Sequence, residues 1–207
     1  MRRLNAAKLL IRLLAIMFLL AGCSSPEKKI ANALVDAEER LDTGAVAEAI
    51  AVLEDVEERF PGNPDVAEAL GFAYMEEPDP FSAAIYLQQA VELDPSRTHL
   101  LQPVAENFRD VGDRASAVNA YTGYLEDFPN DGEAWLALAE IREQENRTKP
   151  ALDAYLKAFS LLELPPTGEQ AVTVGDLFFQ LQNFASAENY YQMALESGDL
   201  STLPALF

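Results

Sequence analysis

The chain has little of what most catalytic and metal sites are built from. Its 207 residues hold one cysteine, Cys23, and one histidine, His99. A lone cysteine excludes an internal disulfide, and the two counts together exclude zinc sites made of Cys and His. A Ser-His-Asp or Cys-His arrangement would have to use His99, which has no partner nearby in sequence and reads as a solvated histidine at a helix start. No glycine-rich phosphate loop and no EF-hand calcium loop occurs, so the scattered carboxylates leave room for a weak cation site at most. Cations are scarce as well, with 15 Lys and Arg against 34 Asp and Glu and a formal net charge of −19. Phosphate binding needs clustered Lys and Arg, so this balance disfavours nucleic acid. Paired carboxylates could hydrolyse a bond in principle, but these read as the polar faces of helices. The expectation is a protein that is not an enzyme and needs no cofactor. The acidity itself also fits plain solubility, for instance in a saline habitat.

Long apolar runs are missing too. The one conspicuous stretch, residues 13–21, includes Met17 and Phe18 and is too short for a transmembrane helix, which takes about 20 apolar residues. Arg2, Arg3, Lys8 and Arg12 precede it as a basic front. It ends in Leu20-Ala21-Gly22-Cys23, which resembles the lipobox of bacterial lipoproteins; the alternative is an ordinary secretory signal. The resemblance implies cleavage before Cys23, lipid on its sulfur and new amine, and a mature chain tied to a membrane of the bacterial envelope. Ser24 stands where an aspartate would imply retention at the inner membrane, so the implied location is the outer membrane, facing the periplasm. In a bacterial protein Asn146-Arg147-Thr148 is a glycosylation sequon by chance. Residues 1–22 carry four of the 15 cations and none of the 34 acids, so their loss takes the net charge from −19 to −23. Anionic lipid would repel such a surface, which leaves the lipid as the anchor.

What the mature part has in abundance is periodicity. Ala49, Ala83, Ala117, Ala151 and Ala187 are spaced by 34, 34, 34 and 36 residues. Four residues after each stands a large apolar residue (Leu53, Leu87, Tyr121, Tyr155, Tyr191), and seven after each stands Val56, Ala90, Tyr124, Ala158 or Ala194. Those offsets share one helix face. Pro61, Pro95 and Pro129 mark where the first three of these helices should stop. A second helix precedes each, carrying Leu70-Gly71 and Tyr74, Val104-Ala105 and Phe108, Trp135 and Leu138-Ala139, or Val174-Gly175 and Phe178. Turn-like segments separate them at 42–44, 77–80, 112–113 and 182–183.

The pattern resembles the tetratricopeptide repeat, a helix-turn-helix unit with a period of about 34 residues. It implies an all-α, right-handed superhelical solenoid of five repeats at 30–63, 64–97, 98–131, 132–167 and 168–201. A linker at 23–29 precedes them and a short apolar tail at 202–207 follows. No helix pair buries its apolar face alone, so each needs its neighbour. Some positions depart from the pattern. Asp36 and Arg40 replace apolar residues in the first repeat, Arg142 replaces the aromatic in the fourth, and Tyr124 fills a small site. Pro103 falls early in a helix, where it is tolerated. The polar helix that usually closes such arrays is missing, so Tyr190, Tyr191 and Leu195 are expected to be partly exposed. Either the apolar tail or another chain would cover them.

In this family the first helix of each repeat lines a concave groove that takes a peptide or a partner helix. Carried over by register, the groove residues are Glu38; Glu68, Phe72 and Met75; Gln102, Glu106 and Arg109; Leu136, Glu140 and Glu143; and Val172, Asp176 and Phe179. This is a carboxylate stripe with apolar spots. It lacks the Lys and Asn set with which similar domains grip a C-terminal carboxylate. The fitting partner is a protein segment with Lys or Arg among apolar residues; the alternative is a solvated stripe with binding at an edge or end. About five residues separate Cys23 from a helix start near Lys28, a span of at most about 18 Å, so the first repeat would lie close to the membrane. The expected role is a scaffold or adaptor. Comparable lipoproteins serve outer-membrane protein assembly, pilus or secretion-channel assembly, and recruitment of cell-wall enzymes. The other expectation is a structural lipoprotein that self-assembles through its last repeat.

Overall fold

A computed structural model describes residues 25–163 and 165–197. The leader, Cys23 and the tail 202–207 lie outside the described residues. Within them the chain is all α-helical: α1 (Pro26–Asp42), α2 (Val46–Arg59), α3 (Pro64–Glu76), α4 (Pro80–Leu93), α5 (Leu101–Asp110), α6 (Arg114–Asp127), α7 (Gly132–Gln144), α8 (Thr148–Leu162), α9 (Gly168–Gln180) and α10 (Phe184–Glu196), with a 3-10 turn at Thr98–Leu100.

Local chemistry sets these limits. The Ser25 hydroxyl accepts from the Lys28 amide at 3.4 Å and Pro26 takes the first helical position, so α1 begins before the expected start near Lys28. Asn63, Asp79, Asp131 and Asn183 cap α3, α4, α7 and α10 through their side-chain oxygens, and Thr167 with Gln170 forms a reciprocal capping box on α9. Helices α2, α4 and α6 each end two residues before Pro61, Pro95 or Pro129. Pro103 is third in α5, inside the first turn, and its carbonyl accepts from the buried Asn107 amide group at 2.8 Å. His99 lies exposed in the 3-10 turn.

The chain divides into two compact units, Met1–Asp113 and Arg114–Phe207. In the N-terminal unit α1 packs on α2 and α3, α2 on α3, α3 on α4, and α4 on α5. Ala49, Leu53, Val56, Val66 and Leu70 are buried at the centre of its first core cluster. Burial of each large aliphatic side chain contributes about 1.5–3 kcal/mol. The polar departures in α1 pair with each other: Arg40 Nε donates to Asp36 at 3.0 Å, and the same guanidinium bonds Glu48 at the start of α2.

A second fixture was not anticipated. Arg97, in the turn after α4, donates to Asp94 at 3.1 Å and to Asp65 at 2.5 Å, and also bonds Glu68. Burial alone would lower the pKa of this guanidinium. The three carboxylates outweigh it and raise the value above the ordinary one. The turn is thereby tied back to the first turns of α3.

In the C-terminal unit α6 packs on α7, α7 on α8, α8 on α9, and α9 on α10. Ala139, Ala151, Leu152, Tyr155, Val174 and Leu177 form a buried cluster, with Trp135, Phe159, Phe178 and Tyr190 against it. Tyr124 is accommodated at its small site by stacking on Phe128, with ring centroids 4.6 Å apart, while its hydroxyl reaches Asp131 at 2.9 Å. Arg142, standing for an aromatic, has its Nε buried without a hydrogen-bond partner. Burial, then the nearby Arg147 charge, lowers its pKa.

Candidate functional site

The carried-over groove residues lie on the first helices, and each unit holds its own set. In the N-terminal unit these are Glu38 on α1, Glu68, Phe72 and Met75 on α3, and Gln102, Glu106 and Arg109 on α5. Glu38, Glu68, Phe72, Gln102 and Glu106 are half-buried, and Met75 and Arg109 are exposed. Their carboxylates are not equivalent. Glu68 is taken up by Arg97, together with Asp65. Glu106 accepts from Gln102 Nε2 one helical turn away at 3.1 Å, a neutral donor that leaves the carboxylate charge uncompensated.

In the C-terminal unit the set is Leu136, Glu140 and Glu143 on α7, and Val172, Asp176 and Phe179 on α9. Here the acids converge on one buried phenol. Tyr155, on α8, has its pKa raised first by burial and then by the charges of Glu143, Glu140 and Glu169. Asp176 is engaged otherwise, accepting from the Tyr191 hydroxyl at 2.7 Å. Phe179 is 56% exposed and meets Phe184 edge-on at 5.3 Å. Register reading did not single out Arg97 or Phe184. The signal for Arg97 was its offset of 32 from Asp65 and 29 from Glu68, just under one repeat period.

The phenols also carry a pH dependence. Burial, then the Asp176 bond, pushes Tyr191 up to about 12, while Tyr74 is raised by its bond to Glu54. A phenol whose folded pKa is raised stabilises the fold fully below its unfolded value, about 10, and loses that contribution as pH climbs to the folded value. Between pH 10 and about 12 the wild-type chain should therefore lose melting temperature faster than Tyr191→Phe. A constant gap between the two melting curves over that range would contradict the assignment.

Among the described residues no three His, Cys, Asp or Glu side chains are grouped to hold a metal ion. No described helix is long and apolar enough to cross a membrane.

Comparison with known proteins agrees with this architecture. The family model described as Tetratricopeptide repeat matches residues 34–98 and 105–160. The chain is 31% identical over 163 residues to ER membrane protein complex subunit 2 of Xenopus tropicalis, which covers 78% of this chain and 50% of that protein. The chain thus spans about half the length of the curated relatives it matches. Among solved structures, a MamA protein superposes with a TM-score of 0.67 at 18% identity, over 87% of this chain and 99% of that one. Pseudomonas aeruginosa pilF does so with a TM-score of 0.53 at 17% identity, over 83% of this chain and 78% of that one. These structural likenesses speak to fold alone. On the repeat ladder, the paired helices and the family match together, the chain belongs to the tetratricopeptide repeat family.

Proposed function

We propose that this protein is a non-enzymatic scaffold that holds a partner protein at a membrane of the bacterial envelope, tethered through lipid on Cys23. The observation that carries the reading is the pairing of a tetratricopeptide fold with carboxylate-and-apolar sets on the first helices of both units. Of these, Glu106 accepts only from the neutral Gln102 amide, whereas Glu68 is taken up by Arg97. Such a surface fits a segment that interleaves Lys or Arg with apolar residues. The membrane part rests on the leader and on Leu20-Ala21-Gly22-Cys23. It sits well with a relative named as a subunit of a membrane protein complex. The pathway would be assembly of an outer-membrane, pilus or secretion, or cell-wall complex.

The test is photocrosslinking in the native cell from a reactive residue at position 106, with fractionation of a Cys23→Ser variant alongside. The expected outcome is one dominant envelope protein, lost when Glu140→Lys is added, and release of Cys23→Ser from the membrane fraction. Crosslinks only between copies of the chain, or a Cys23→Ser variant that stays with the membrane, would remove the corresponding half of the reading.

A further inference from the structure

The last helix pair presents a second surface, separate from the first-helix sets except for Phe179. An open cleft of about 690 Å³ lies on α9 and α10, lined by Phe179, Phe184, Tyr191 and Leu195 together with Glu188 and Glu196. Phe184 and Leu195 are 58% and 55% exposed. The repeat register shows what kind of face this is. Leu53, Leu87, Tyr121 and Tyr155, the counterparts of Tyr191, are all buried; at the Leu195 position Leu125 is buried and Glu57, Val91 and Phe159 are half-buried. Tyr191 and Leu195 thus stand at positions that the earlier repeats cover at least in part.

One residue in it breaks the pattern. Glu188 stands where the earlier repeats place Ile50, Ala84, Val118 and Leu152. A cover for this face must bury apolar side chains and at the same time answer a carboxylate in their midst, because a buried unpaired charge is expensive. Between Lys157 and Phe207 the sequence carries no Lys or Arg to answer Glu188, while Glu163, Glu169, Asp176, Glu196 and Asp199 stand in the same stretch. Residues 198–207 could supply leucine and phenylalanine but no cation. A second copy using the same face would set Glu188 and Glu196 against their own duplicates. A second copy offering its α1–α2 face would bring cations that are already engaged: Arg40 with Asp36 and Glu48, Arg59 with Asp55, and Lys29 over the Phe60 ring.

We infer that the α9–α10 face docks an amphipathic helix of a different protein, with a Lys or Arg set inside its apolar stripe to meet Glu188. A helix is the fitting shape because a face made by two packed helices accepts a third in its groove. At 13 residues, α9 and α10 are each about 20 Å long, which sets the length of the contact. The cleft shares Phe179 with the first-helix sets, but Glu188 and Leu195 belong to the cleft alone, so the two readings fail separately.

The probe is a fluorescein-labelled 18-residue peptide of leucine and lysine in helical amphipathic order, with one lysine inside the leucine stripe. A matched peptide carries glutamate at that place. Fluorescence anisotropy is measured against the full chain. We expect Glu188→Lys and Leu195→Ser each to weaken binding of the lysine peptide about tenfold or more, and the glutamate peptide to bind about tenfold more weakly than the lysine peptide. Glu140→Lys should change the affinity less than about twofold. Both tested side chains are exposed, so their variants should keep the wild-type melting temperature. Equal affinity for wild type and Glu188→Lys overturns the inference. So does a loss caused by Glu140→Lys alone, which would move the peptide to the first-helix surface and leave the proposed function standing. Sedimentation showing a wild-type dimer that Leu195→Ser dissolves would assign the face to a second copy. A tenfold gain in peptide affinity on deleting residues 202–207 would assign it to the tail.

Discussion

Gly71→Ala is expected to destabilise the N-terminal unit by about 2–3 kcal/mol, the opposite sign from helix propensity. In an exposed helix the same change would stabilise by about 1 kcal/mol, because alanine loses less backbone freedom. Gly71 lies in the middle of α3 against α4. A Cβ there would stand 2.5 Å from Leu87 Cγ, 2.7 Å from its Cδ2 and 3.0 Å from its backbone nitrogen. Leu87 is fully buried, so its side chain has nowhere to turn, and the backbone contact means that α4 itself has to move. Gly175 makes the equivalent approach in the C-terminal unit, with the Tyr191 ring 2.5 Å from the added carbon. That ring borders the open cleft and is only half-buried, so it can swing aside, and Gly175→Ala should cost clearly less. Urea unfolding followed by circular dichroism reads both. A double-mutant cycle with Leu87→Ala locates the strain. Removing the leucine creates a cavity on its own, but combined with Gly71→Ala the two costs should be less than additive. A Gly71→Ala variant more stable than wild type would mean that the helices do not approach as closely as described.

Gly71 also illustrates what the sequence makes legible. A glycine or alanine recurring one repeat apart, in step with a large apolar residue on the next helix, is a close helix contact stated twice. Five copies fix the element order, and the caps and the prolines after α2, α4 and α6 fix most ends. Register went as far as saying which face a residue occupies. It did not say what meets it there. Glu68 and Glu106 read alike as groove acids, yet Glu68 is bound by an arginine that reaches it from the next turn, and Glu106 only by a glutamine on its own helix. Tyr124 looked too large for its site, and its fit depends on Phe128 and Asp131 turning up together. The division between Asp113 and Arg114 left no trace either, because the alanine spacing is the same 34 residues on both sides of it. Pairings of this kind are set by side-chain reach across segments and carry no periodic signal. The proposed lipid anchor is a different case: Cys23 is read from a local motif and lies outside the described residues, so only chemistry on the protein bears on it.

Reversing charge at Glu106 and Glu140 together should abolish capture of the proposed partner, with a loss of affinity of about a hundredfold or more. Close charge pairs across interfaces couple by about 1.5 kcal/mol or more each, and a reversal replaces attraction with repulsion. Glu68 and Asp176 are unsuited to this test. Reversing Glu68 would also break the Arg97 fixture, and reversing Asp176 would break the Tyr191 bond, so a loss of binding there would be confounded by altered structure. Wild-type binding should in turn weaken as salt is raised, because exposed charges are screened over about 10 Å at 0.1 M. The double variant should have lost most of that salt dependence along with its affinity. An internal control exists that needs no partner. The Glu140 charge helps hold the Tyr155 phenol protonated, so Glu140→Lys should lower the pH at which that buried tyrosine ionises, read by ultraviolet difference titration. If Tyr155 responds and the partner still binds normally, the carboxylates lie where they are described and do not hold the partner. Binding would then have to be sought on the α9–α10 face, where the deciding acid is Glu188.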